Sequence, residues 1–172
     1  MINVPNIITI IRIMLVPVFL VVFWTFGPHR VFYGMVILSV AGITDIIDGY
    51  LARKLHMVTP LGKFLDPLAD KLMVISVMTS LFIIGRFPLW LVVLVIIKEL
   101  VQMTGSVFIV ISKHLQVSAN FYGKAATIAI YAALFSCAFQ ITGSSKITVL
   151  AGIISVVALC NYALIFFRQR SY

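Results

Sequence analysis

At 172 residues, with 62% hydrophobic content, 10% charged content and a mean hydropathy of +1.16, the chain is not an ordinary soluble domain, for which about 45–50% apolar and about 25% charged is usual. A formal net charge of +8 would suggest nucleic acid in a soluble protein. In a chain this apolar, basic residues at span ends answer first to topology and anionic headgroups, and no nucleic-acid partner is expected.

A spanning helix takes about 20 apolar residues, so residues 1–172 read as one integral membrane domain. Six apolar runs separated by polar breaks predict an all-α fold of six transmembrane helices. The N-terminus, MINVPNIITIIR, lacks a basic n-region and a small-residue cleavage site, so its run is expected to persist as a mature helix. That run covers about residues 7–26 and ends at GPHR. The second covers about 31–51, passing through Asp45 and Asp48. The basic loop ARKLHMVTP follows, and then a third run over about 61–84. GRFP breaks it, and Pro88 suits the first turn of the fourth helix, over about 88–111. The fifth covers about 122–141 and the sixth about 147–167. Cys137 and Cys160 sit inside apolar runs without metal-ligand spacing, as packing or lipid-facing residues with no disulfide expected. Trp24 and Trp90 fit interfacial belts. His56 reads as solvated, and His29 and His114 as interfacial.

Charge sets the orientation. Arg12, Arg53, Lys54, Lys63, Lys71, Lys113, Lys124, Arg168 and Arg170 fall on the side of the termini and the even-numbered loops. Only Arg30, Arg86 and Lys146 fall on the other, with Lys98 inside a span. The asymmetry predicts both termini in the cytoplasm.

Negative charge is more concentrated still. Of the five acidic residues, Asp45, Asp48, Asp66, Asp70 and Glu99, four lie between Thr44 and Lys71. Asp45 and Asp48 are spaced i, i+3, and Asp66 and Asp70 i, i+4, so each pair occupies one helix face. A short loop makes the two helices antiparallel neighbours and brings four carboxylates to one membrane depth. One aspartate at the bilayer centre costs about 2.5–3.5 kcal/mol on insertion scales, and like charges repel, so positive charge has to sit among them. Lysine and arginine are available. Four oxygen-rich side chains around a wet cavity also match Mg²⁺ or Mn²⁺ ligation, and two such ions about 3.5–4 Å apart suit displacement at phosphorus. Gly49 permits close backbone approach to a ligand, and Arg53 offers a forked donor for phosphate oxygens. A cation or proton transporter is the rival class, since intramembrane carboxylates also mark ion pathways. Transport explains neither Gly49 nor Arg53, and it predicts acidic residues on both sides of the membrane.

Asp45, Asp48, Gly49, Ala52, Arg53, Gly62, Asp66 and Asp70 read D-x2-D-G-x2-A-R-x8-G-x3-D-x3-D. The pattern resembles the signature of the CDP-alcohol phosphotransferase family of membrane enzymes. NVPNIITIIRIMLVP and YGKAAT resemble segments of its phosphatidylglycerophosphate-forming branch. The resemblance implies transfer of a phosphatidyl group from CDP-diacylglycerol to an alcohol with release of CMP. Asp45, Asp48 and Asp66 would then ligate two Mg²⁺ or Mn²⁺ ions, with Asp70 sharing the second ion or acting as general base. Gly49, Ala52, Arg53 and Gly62 would hold the cytidine diphosphate, at a site facing the cytoplasm. A homodimer is implied by the resemblance alone.

The acceptor rests on fewer residues. Glycerol 3-phosphate is preferred, and phosphatidylglycerol, giving cardiolipin, is the alternative. Lys98 either binds an acceptor phosphate, oriented by Glu99, or only balances the aspartates. The branch usually carries Arg-Glu at that position, and Gly-Lys-x-Lys-Thr where this chain has Gly123-Lys124-Ala125-Ala126-Thr127. Lys124 is a second candidate anion contact, with snorkelling to the interface as its other reading. Asn6, Thr9 and Arg12 share one face of the first helix, where they either anchor it at the interface or line the site's mouth, Arg12 then touching the acceptor.

Overall fold

The computed structural model describes the backbone of residues 4–54, 60–112 and 121–170, and within these the side chains of residues 9–47, 65, 68–103 and 121–164; it also describes the turns at 84–88 and 139–143. It contains six α-helices: α1 (Val4–Thr25), α2 (Arg30–Lys54), α3 (Pro60–Ile83), α4 (Leu89–Ser112), α5 (Phe121–Ala138) and α6 (Ser144–Arg170). A 3-10 turn at Gly27–His29 joins α1 to α2. Among the described residues there is no strand, so the all-α expectation holds. Three stretches, at residues 27–47, 121–138 and 144–164, are long and apolar enough to cross a membrane, and a shorter apolar stretch covers Thr9–Thr25.

The helix ends depart from the sequence expectations for local reasons. α2 continues through Ala52, Arg53 and Lys54, three good helix formers, where the sequence predicts a loop. Pro88 caps α4 instead of lying in its first turn: its carbonyl accepts from Leu91 N at 3.2 Å and Val92 N at 3.4 Å. α5 stops three residues short of 141, in a paired-bond cap. There Ile141 N donates to Ser136 O at 2.9 Å and Gln140 N to Cys137 O at 3.2 Å. This motif needs a left-handed residue, normally glycine; here Gln140 takes it, with φ 51°. α6 begins three residues before 147 because the Gly143 carbonyl accepts from Lys146 N at 2.9 Å.

The chain forms two compact units, Met1–Ile83 and Ile84–Tyr172. In the first, α1 packs against α2 and α3, and α2 against α3, around Phe19, Phe23, Leu38, Met73, Met78 and Leu81. Gly34 lets α2 close over two rings: a Cβ there would lie 2.9 Å from Phe23 Cδ2 and 3.0 Å from Phe19 Cε2. In the second unit α6 packs against both α4 and α5. Two glycines bring these helices together. A Cβ on Gly152 would meet the Trp90 ring at 2.6 Å, and one on Gly123 the Tyr162 hydroxyl at 2.6 Å. Small residues do this work in lipid, where burying apolar surface no longer drives helices together.

Hydroxyls in the apolar helices bond back to their own turns, as Ser39 does to Met35 O at 2.8 Å and Thr44 to Ala41 O at 2.8 Å, which satisfies them without water. Met14, Val21, Ile46, Ile128 and Leu164 stay exposed. Cys137 is buried and Cys160 exposed, and Trp24 and Trp90 are about half exposed.

Candidate active site

α2 is unbroken through Asp45, Asp48, Gly49, Ala52 and Arg53, and α3 through Gly62, Asp66 and Asp70. The i, i+3 and i, i+4 spacings therefore do place each aspartate pair on one helix face. α2 and α3 pack together. The six steps from Lys54 to Pro60 reach at most about 22 Å, whereas α2, with 25 residues, is about 37 Å long. Packed neighbours so joined must run in opposite directions, which sets the C-terminal half of α2 beside the N-terminal half of α3.

Asp45 has a defined partner. Its Oδ1 lies 2.6 Å from Arg12 Nη1, with the arginine side chain 1% exposed and the aspartate 46%. The ion pair crosses from α1 to α2, and Thr9, one turn before Arg12, is also fully buried. Sequence reasoning asked for positive charge among the aspartates without naming Arg12 as its source. The available signal was an arginine within an apolar run, which is rare without a carboxylate partner. Asp70 is half-buried. The side chains of Asp48, Arg53 and Asp66, with residues Gly49, Ala52 and Gly62, lie outside the described ones, although their backbone is helical.

Among the described residues no three His, Cys, Asp or Glu side chains come together; two of the four aspartates fall outside that set. The donor chemistry suits a hard dication: carboxylate oxygens on two packed helices, with nearly half of Asp45 accessible beyond its contact with Arg12.

The second unit holds the other candidates. Lys98 is 1% exposed, and its Nζ lies 2.6 Å from Oε1 of Glu99, the next residue in the chain. Lys124 is exposed on the first turn of α5, next to the buried Gly123. Ala126, where the resemblance would favour a second lysine, is fully buried.

The sequence profile of the CDP-alcohol phosphatidyltransferase family matches residues 2–164. A Bacillus subtilis (strain 168) protein named CDP-diacylglycerol–glycerol-3-phosphate 3-phosphatidyltransferase is 38% identical over 139 residues, covering 74% of this chain and 72% of that protein. A protein of the same name from Wigglesworthia glossinidia brevipalpis is 33% identical over 159 residues, covering 90% and 85%. A CMP-forming cardiolipin synthase from Streptomyces coelicolor is 33% identical over 135 residues, covering 73% of this chain and 60% of that protein. With a family match across both compact units and an aspartate motif carried on two packed helices, the chain belongs to the CDP-alcohol phosphatidyltransferase family.

Proposed function

We propose that the chain transfers a phosphatidyl group from CDP-diacylglycerol to glycerol 3-phosphate, giving phosphatidylglycerophosphate and CMP. The observation that carries this reading is the likeness, over most of both chains, to two relatives bearing that activity in their names. Asp70 takes the proton of the acceptor hydroxyl as its oxygen attacks the phosphorus that bears the diacylglycerol. The new P–O bond replaces the bond to the bridging pyrophosphate oxygen, and CMP leaves. Gly49, Ala52 and Gly62 let the backbone come close to the cytidine diphosphate, and Arg53 offsets the charge on its phosphates. Asp45, Asp48 and Asp66, with Asp70 sharing the second, would hold two Mg²⁺ or Mn²⁺ ions, which when bound neutralise the pyrophosphate. Lys98 and Lys124 are the candidate contacts for the acceptor's phosphate.

The protein is read as a homodimer of six-span subunits in the cell membrane, with both termini and the aspartates toward the cytoplasm. Phosphatidylglycerol as acceptor, giving cardiolipin, is the second reading. It is supported by the Streptomyces coelicolor relative and by Ala126 in place of a lysine.

The test is an acceptor panel with labelled CDP-diacylglycerol and purified protein, with Mg²⁺, with Mn²⁺ and with chelator. Glycerol 3-phosphate should yield labelled phosphatidylglycerophosphate, and chelation should stop turnover. Cardiolipin as the main product would replace the acceptor assignment, and full activity in chelator would remove the ions.

A further inference from the structure

An arginine within an apolar helix is tolerated when its charge is matched, and Asp45 on the neighbouring helix lies 2.6 Å from this one. Exposure across the pair is unequal. The guanidinium is 1% exposed and the carboxylate 46%, so the arginine is enclosed by its helices while the aspartate opens outward. One oxygen is held by Arg12, and nearly half of the side chain remains accessible. The Lys98–Glu99 contact differs, because its two residues adjoin in the chain.

We propose that Arg12 is a positioning residue for Asp45: its buried guanidinium holds the carboxylate in the orientation from which it ligates a divalent cation. The proposal rests on the ion reading given above. It assigns Arg12 to the aspartate site and not to the acceptor.

Two effects of Arg12 oppose each other. Its charge repels a dication, whereas its grip removes the rotational freedom that Asp45 would otherwise lose on ligation. The grip dominates in this proposal, because a free-turning carboxylate fails as a ligand directly, whereas nearly half of Asp45 stays accessible beyond its contact with Arg12. Lysine keeps the charge but lacks the planar fork, so it separates the two effects.

The experiment measures Mn²⁺ binding by electron paramagnetic resonance on the purified full chain in detergent or nanodiscs, alongside thermal unfolding. Arg12→Gln should weaken Mn²⁺ binding about 10–100-fold, the usual cost of losing an outer partner of a metal ligand. Arg12→Lys should fall between it and the unsubstituted chain. Raising Mn²⁺ should restore the kcat of Arg12→Gln with the KM for CDP-diacylglycerol unchanged.

Lower thermal stability with unchanged or tighter Mn²⁺ binding would overturn the proposal and leave Arg12 a packing residue. If Arg12→Gln is not recovered folded, Arg12→Lys decides alone, and affinity equal to that of the unsubstituted chain would overturn the proposal. Absence of Mn²⁺ binding by the unsubstituted chain would instead remove the ion reading, and the Arg12 role with it.

Discussion

The two compact units bury charge in different ways. In the first, Arg12 and Asp45 reach each other across α1 and α2, so the pair records where one helix lies against another. In the second, an ion pair joins Lys98 and Glu99, consecutive residues of α4, and the helices come close where Gly152 meets Trp90 and Gly123 meets Tyr162, with Arg86 donating to Ala138 O at 2.7 Å. Lipid removes the usual apolar drive between helices; both units use glycine close approaches, Gly34 in the first and Gly123 and Gly152 in the second, and the first adds the cross-helix ion pair. A cross-helix ion pair fixes a side chain as well as a helix, which chemistry requires; a glycine contact fixes the helix alone.

The strongest way to break this comparison is Asp70→Asn. The loss of a general base predicts about a 10²–10⁴-fold fall in CMP release, with CDP-diacylglycerol binding largely kept. Full activity would remove Asp70 from the reaction.

Gly152→Leu tests the second unit's device. Forcing a side chain against the Trp90 ring should cost about 1–3 kcal/mol, read as a lower unfolding midpoint, while Mn²⁺ binding stays intact. That is the reverse of the outcome expected at Arg12, and a loss of Mn²⁺ binding would end the distinction.

Lys98→Ala should raise the acceptor KM about tenfold, equivalent to about 1.4 kcal/mol, with the CDP-diacylglycerol KM little changed. An unchanged acceptor KM would leave Lys98 only its contact with Glu99.

The smallest effect belongs to Ser155, whose hydroxyl is buried on α6 with no hydrogen-bond partner among the described residues. Ser155→Ala should be neutral or stabilise by up to about 1 kcal/mol; a marked loss of stability would mean that the hydroxyl is satisfied.

Helix number and order were legible in the sequence, because each apolar run is bounded by polar or turn residues. The ends were less so. A cap built on Gln140 carries none of the glycine signal that marks most such caps, and Pro88 serves a helix start equally well one position outside it. The aspartates were legible as a group because helical spacing fixes which of them share a face. Arg12 was not legible as their partner: 33 positions separate it from Asp45 (45 − 12 = 33), and no local pattern encodes a pairing made by the packing of α1 on α2.

The close approach of Tyr162 to Gly123 fixes how α6 is aligned along α5. It sets the Tyr162 side chain, near the C-terminal part of α6, against the first turn of α5. α5, with 18 residues, is about 27 Å long, close to the roughly 30 Å of a hydrocarbon layer. A side chain at position 123 would shift α6 along α5 and change how far the two helices reach past each other.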